Sequence, residues 1–253
     1  MKSLRSWLPT GEALLQSDDE WAVRTRVLAE SLSRLVSRYV DPVTAHGLDV
    51  GCQRGRLTDY LNAHTPISWE GIDPAWPDIR QSPDGATLYP AAADTIPYPD
   101  RYFDCLLFAN VFEHVSADQR DASLAEMYRV LRPGGVLVGQ LPNPYFPIES
   151  HSRLPFMGWL PYKLQKKYWR YAPVPWEHNF YSVTIRHLRH TAELAGFQVT
   201  ATKNFNYPAE ALPSGVRRAA DLFRVPMRLF PWAWQFVFTR PEDAESPAPV
   251  RHG

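Results

Sequence analysis

The chain has almost no cysteine: Cys52 and Cys105 are the only two in 253 residues. Two thiols cannot staple a chain of this length. That excludes a disulfide scaffold and predicts reduced cysteines in a cytoplasmic setting. There is no surplus of either charge, with 27 Lys plus Arg against 27 Asp plus Glu. No net field draws the chain to nucleic acid or to an anionic membrane as its main partner. No apolar run approaches the ~18–20 residues of a membrane span. Residues 1 to 10 are basic but lead into no apolar stretch, so no signal peptide is expected. Internal repeats are also missing.

What is present fits a globular enzyme. The chain is 45% hydrophobic and 21% charged, and its length suits one elaborated α/β domain over residues 1–240. Proline, tryptophan, tyrosine and phenylalanine crowd the part beyond residue 140. Specificity is expected there.

Leu28, Leu32, Leu35 and Val36 recur at helical spacing and predict a helix over 18–39, ended by Asp41-Pro42. Gly47 to Gly51 reads as a buried strand, Arg54 to Ala63 as a helix and Ile67 to Ile72 as a second strand. The stretch 77–86 reads as polar turns. Tyr102 to Ala109 is the most apolar strand, followed by a helix over 118–131, the turn Pro133-Gly134-Gly135 and a strand from Val136 to Leu141. Strands alternating with helices predict parallel βαβ units and a doubly wound sheet. The stretch 143–181 breaks this rhythm and reads as an aromatic, Pro-rich lid insertion. Within 182–240, Ser182 is expected to cap a helix that stops at Gly196. Strands are expected over 197–207 and 234–239, with the last one antiparallel, and 241–253 is expected to be a disordered tail.

The first βα loop, Asp49-Val50-Gly51-Cys52-Gln53-Arg54-Gly55, combines a sharp turn with a helix N-terminus that can receive an anion. A dinucleotide would need glycine at the position of Gln53, so that its pyrophosphate could lie on bare backbone. The carboxylate of a sulfonium amino acid is less demanding. Asp73 ends the second strand about 20 residues on, where an acid can accept two ribose hydroxyls; otherwise it is a helix N-cap, since Pro74 follows. Asp94 can accept from an adenine amino group or serve as a turn aspartate. Asn110 opens the loop after the most apolar strand, at the crevice where ligands bind in such sheets.

Together these segments resemble the class I S-adenosylmethionine-dependent methyltransferases. The likeness runs from Leu48-Asp49-Val50-Gly51-Cys52 through Gly71-Ile72-Asp73, Asp94-Thr95-Ile96-Pro97, Phe103-Asp104 and Asn110-Val111-Phe112-Glu113-His114-Val115 to Glu126–Gly135. It covers roughly residues 45–142 and is nearest to the quinone, small-molecule and sugar branch. The resemblance implies a Rossmann-like, seven-stranded, mostly parallel sheet and S-adenosyl-L-methionine as cofactor. It implies that Asp49 to Gly51, with Cys52, Gln53 and Gly55 in the same loop, hold the methionine end. Asp73 would hold the ribose, Asp94 and Thr95 the adenine, and Asn110 the amino group through its carbonyl. Gln53-Arg54 departs from the family, which has glycine and a small residue there.

Methyl transfer to an alcohol needs alignment, exclusion of water and removal of a proton. The candidates for the proton are His114, Glu149, His151 and His178. Glu149 and His151 are two apart, so in an extended stretch they face one way. They can act as a base and its orienting carboxylate, form a loop ion pair, or ligate a divalent metal such as Mg. His114 and His178 can equally be structural, bracing a loop and a lid.

The aromatic residues of 145–181 suit the C–H faces of a sugar, and equally a flat or lipidic ligand. Pro147-Ile148-Glu149-Ser150-His151 and its neighbours resemble methyltransferases of bacterial polysaccharide clusters. The expected function is therefore O-methylation of a sugar or oligosaccharide. Quinone, polyketide or lipid methylation is the alternative, and a non-catalytic cofactor-binding partner subunit is the alternative of another class. Arg217, Arg218, Arg224 and Arg228 among apolar residues allow peripheral membrane contact, or form an ordinary strand connection.

Overall fold

The computed structural model describes residues 18–172, 174, 177–208, 211 and 231–243. The arginine segment near 217–228 and the tail beyond 243 lie outside the described residues. None of the described helices is long and apolar enough to cross a membrane.

In chain order the elements are α1 (Asp18–Val36), β1 (His46–Val50), α2 (Arg56–His64), β2 (Ser68–Ile72), β3 (Arg80–Gln81) and β4 (Thr87–Tyr89). Then come β5 (Phe103–Ala109), α3 (Arg120–Val130), β6 (Leu131–Pro142), α4 (Tyr162–Trp169), α5 (Ile185–Leu194), β7 (Gln198–Phe205) and β8 (Ala233–Thr239). Eight strands form one sheet in the order β3-β4-β2-β1-β5-β6-β8-β7 among the described residues. The sheet is one strand larger than expected, because β3 and β4 form within and beside the stretch read as turns. β3 runs antiparallel to β4, and β8 runs antiparallel to both β6 and β7. The rest is parallel.

Burial explains the central strands. β5 lies between β1 and β6 and is covered on both faces, so Phe103, Cys105, Leu106, Leu107 and Phe108 are all fully buried. One face packs on α1 through Leu28, Ala29, Leu32, Leu35 and Val36. The other packs on α3 and α5 through Leu124, Met127, Leu188 and Ala192. Gly139 lets β6 approach closely; a Cβ there would lie 2.1 Å from the Phe108 carbonyl oxygen.

Several boundaries shift from expectation. Helix α1 ends at Val36 rather than residue 39. The cap of α5 is Thr184, whose hydroxyl accepts from His187 N–H at 3.3 Å. Ser182 accepts instead from Gln165 Nε2 at 2.9 Å, tying the insertion to the core. The insertion is itself packed, with Leu154, Met157 and Phe180 forming a small core and α4 laid against it through Tyr168 and Trp169. At the tail, Asp243 pairs with Arg101 at 2.6 Å.

This topology has one switch point. The chain leaves β1 towards β2 on one side and returns on β5 at the other. The loops after β1 and β5 therefore flank a crevice at the carboxyl ends of the strands.

Candidate active site

A cavity of about 1030 Å³ fills that crevice. The loop after β1 forms one wall with Asp49, Gly51, Cys52 and Gln53, and Asp73 closes its edge. Gly51 has φ +79, and a Cβ there would meet Val111 Cγ2 at 2.5 Å. Only a bare backbone turns at this point. Gln53 takes φ +50 without being glycine. The residue is exposed, and its backbone holds the turn. The Gln53 N–H donates to Asp73 Oδ2 at 2.9 Å, and its carbonyl accepts from Trp76 Nε1 at 2.6 Å. The family's glycine is thus replaced by a strained residue whose neighbours hold the same turn.

Asp49 is 2% exposed and accepts from Thr58 Oγ1 at 2.8 Å. Burial pushes its carboxyl up to about 7, against the Thr58 hydrogen bond and with help from the nearby Asp73 charge. A cationic ligand in the cavity would favour its ionised form. Asp73 also receives Ala75 N–H on Oδ1 at 2.9 Å, which leaves lone pairs on both oxygens for ligand hydroxyls. Cys52 is a buried free thiol, and burial beside Asp49 and Asp73 keeps it protonated.

Asn110 lines the far wall at φ +58. Its carboxamide oxygen accepts from Gln140 Nε2 at 3.1 Å. Gln140 also reaches Tyr207 Oη at 3.1 Å and receives Gln235 Nε2 at 3.5 Å, and Gln235 accepts from Ser31 Oγ at 2.9 Å. Helix α1 adds Arg24, Thr25 and Leu28 to the wall, and Trp76 adds an aromatic face. None of these was singled out as a site residue in the sequence. Only Trp76 carried a local signal, as an aromatic three residues beyond the acid Asp73.

Three expected cofactor residues do not line the cavity. Asp94 accepts from Gln119 Nε2 at 2.9 Å and ties its loop to the approach of α3. Thr95 is exposed on that loop. Gly55, at φ +78, starts α2 with Ser82 and Leu88 against it, so it shapes the loop from behind.

At the insertion end of the cavity the structure brings together Glu113, His114, Glu149 and His151. His114 and His151 line the cavity, with rings 5.1 Å apart and edge to face. His114 Nδ1 lies 2.9 Å from the Asn179 carbonyl oxygen, which can only accept, so Nδ1 carries the proton and Nε2 the lone pair. His151 Nδ1 lies 2.7 Å from Glu149 Oε1, and its ring stacks on Phe180 at 4.6 Å. Glu149 does not reach the cavity, because it also receives the N–H groups of His151 and Ser152 at 3.0 and 2.6 Å. It orients His151 and has no free face to offer a metal.

The electrostatics of the group are tightly coupled. Burial alone would raise the Glu149 carboxyl, but the His151 charge and the hydrogen bonds from His151 and Ser152 bring it down to about 2. Burial opposes a charged His151, yet Glu149 and Glu113 outweigh it and raise that ring. Burial, joined by the His151 charge, pushes His114 down to about 4. Glu113, next to His114 in the chain, was missed as a candidate. It is 3% exposed, and burial lifts its carboxyl to about 7 while the charge of His151 pulls the other way. His178 stands apart from the cavity. Its ring packs against Trp169 at 5.1 Å and Phe180 at 4.8 Å, a bracing role.

Residues 21–202 match the family model described as a methyltransferase domain. The chain belongs to the class I S-adenosylmethionine-dependent methyltransferase family. It is 38% identical over 76 residues to a ubiquinone/menaquinone biosynthesis C-methyltransferase UbiE of Francisella tularensis, which is 27% of this chain and 30% of that protein. The corresponding protein of Hahella chejuensis is 40% identical over 83 residues, 30% of this chain and 32% of that protein. The match therefore spans about a third of the length of these curated relatives. Among solved structures, a SAM-dependent methyltransferase from Archaeoglobus fulgidus superposes with TM-score 0.56 at 15% identity, covering 85% of this chain and 94% of that one. The PH0226 protein of Pyrococcus horikoshii gives 0.57 at 16% identity, covering 95% and 99%. The [4+2]-cyclase SpnF gives 0.54 at 16% identity, covering 85% and 81%. These likenesses establish the fold.

Proposed function

We propose that this methyltransferase moves the methyl group of S-adenosylmethionine to a hydroxyl of a sugar or oligosaccharide. The observation that carries the hydroxyl chemistry is His151, held by Glu149 and facing the cofactor cavity beside His114. The cavity fits the cofactor. Two buried acids, Asp49 and Asp73, meet a bare backbone turn at Gly51. When bound, S-adenosylmethionine supplies a methyl group on a sulfonium, with a neutral thioether as leaving group. Asp73 would hold the ribose hydroxyls, and the loop around Gly51 and Asn110 would face the methionine end. The His114–His151 wall would take the proton of the acceptor hydroxyl, and the insertion would keep water out.

The acceptor class is argued from a second, open pocket of about 540 Å³. Tyr145, Trp159, Tyr162 and Tyr181 line it with Arg120 and Gln165. It adjoins the first site, since Tyr181 N–H donates to the Glu113 carbonyl at 2.7 Å. Gln165 Oε1 and Arg120 Nη2 are buried there without partners. Aromatic faces of this kind suit the C–H faces of a saccharide.

The names of the UbiE relatives favour a quinone ring as the second reading. Their matched stretch covers under a third of this chain, so it carries little weight for the choice of acceptor. A screen with methyl-labelled cofactor against sugars, oligosaccharides and quinones separates the readings. Label in a sugar ether is expected. Label on a quinone ring carbon would replace the sugar reading, and cofactor binding without transfer to any acceptor would favour a non-catalytic partner subunit.

A further inference from the structure

Glu113 is the least explained polar group among the described residues. Its side chain is buried, and neither carboxylate oxygen has a hydrogen-bond partner. An unpartnered buried carboxylate is expensive unless something neutralises it. Two imidazoles face it. One ligand atom from each of Glu113, His114 and His151 lies within 4.8 Å of the others, and His151 Nε2 is 3.8 Å from Glu113 Oε1.

Both rings are already fixed from behind. His114 gives Nδ1–H to the Asn179 carbonyl, and His151 gives Nδ1–H to Glu149. The His114 Nε2 lone pair is therefore left for the site, and an ion would displace the Nε2 proton of His151, which faces Glu113. A metal-binding histidine needs this arrangement, with its second nitrogen anchored on a carbonyl or a carboxylate. The anchoring Glu149 is in turn locked by the backbone N–H groups of His151 and Ser152.

We propose that Glu113, His114 and His151 bind a divalent transition-metal ion, with Glu149 and the Asn179 carbonyl as outer-shell supports. Binding requires side-chain rotation that brings the three atoms to the roughly 2.0–2.2 Å ligand distances of such ions. Two imidazoles and one carboxylate suit zinc, manganese, iron or cobalt, whereas magnesium takes oxygen ligands. This differs from the pair expected in the sequence, Glu149 with His151 around magnesium. Glu149 moves to the outer shell and Glu113 takes its place.

Three protein ligands leave a coordination position open. His114 and His151 line the cavity, so that position faces the space where an acceptor oxygen must lie. A hydroxyl bound to the ion would be more acidic than in water and would lose its proton to solvent, so with the ion bound the two imidazoles act as ligands in place of the base. The identity of that oxygen rests on the proposed function; the ion site does not.

The test uses the full chain, stripped with a chelator and dialysed against cobalt(II), zinc, manganese or magnesium. Metal content is measured directly, and the cobalt form is read by its visible absorption. One equivalent of cobalt or zinc per chain is expected, with magnesium not retained. Glu113→Gln and His151→Ala should abolish binding, Glu149→Gln should weaken it roughly 10–100-fold, and the exposed His190→Ala should change nothing. Near-ultraviolet circular dichroism and a cofactor titration on each variant report folding and the cofactor site separately. Failure to bind S-adenosylmethionine would sink the function while leaving the ion site standing. No stoichiometric metal, or metal that persists in folded Glu113→Gln and His151→Ala, would overturn the ion site alone.

Discussion

Gln53 donates its backbone N–H to Asp73 Oδ2 at 2.9 Å, which makes the turn after β1 and the end of β2 one unit. The acid proposed to hold the ribose is also the buttress of the neighbouring loop. Asp73→Ala therefore removes a ligand acceptor and two loop hydrogen bonds together. Calorimetric titration should show S-adenosylmethionine affinity falling roughly 10- to 100-fold.

Gln53 acts through its backbone and carries the cost of positive φ. Gln53→Gly should leave cofactor affinity unchanged, because the same N–H and carbonyl remain. Gln53→Val, with a β-branched side chain in that conformation, should destabilise by about 1–3 kcal/mol. Thermal unfolding of the two variants, followed by cofactor titration, checks both halves.

Asp49 gives the cofactor site a pH signature. Its folded value of about 7 lies above the ordinary carboxyl value of 3.8. The folded, cofactor-free chain thus holds a proton that the unfolded chain has lost, and Asp49's contribution to stability declines as pH rises from about 4 to about 7. Cofactor binding runs the other way. A cationic ligand favours the carboxylate, so affinity should rise through neutrality with release of a proton. Asp49→Asn should flatten both trends, read by unfolding and by calorimetry in buffers of different ionisation enthalpy.

His151 bears on turnover rather than on cofactor retention. His151→Ala should lower kcat by roughly 10²–10⁴-fold with cofactor Kd little changed. Glu149→Ala should follow it in direction. Equal losses in kcat and cofactor affinity would mark the pair as structural.

Gly139 tests the close approach of β5 and β6. The added Cβ of Gly139→Ala would sit on the Phe108 carbonyl, a backbone atom with little room to yield. A loss of more than about 3 kcal/mol is expected in denaturant unfolding.

The cofactor half was legible because its signals are local. The run from Leu48 to Cys52, the acid at Asp73 and the apolar stretch from Phe103 to Ala109 each state their structure within a few residues. β3 and β4 are too short, at two and three residues, for a period of two to show. Asp94 looked like a ligand because position in the chain cannot reveal Gln119, which holds it from the next helix. Glu113 was not picked out as a candidate because its burial against the distant insertion, tied on by Tyr181 N–H to the Glu113 carbonyl, has no local signal. Arg24 and Tyr207 reach the cavity from opposite ends of the sequence, and no spacing rule joins them.

The hydrogen bonds from Ser31 through Gln235 and Gln140 to Asn110 all run in one direction. Each carboxamide donates forward and accepts from behind, so none can flip without its neighbours. A hydroxyl on the outer helix therefore sets the polarity of the amide at the cofactor wall, leaving the Asn110 NH2 group as the one not spent on this row.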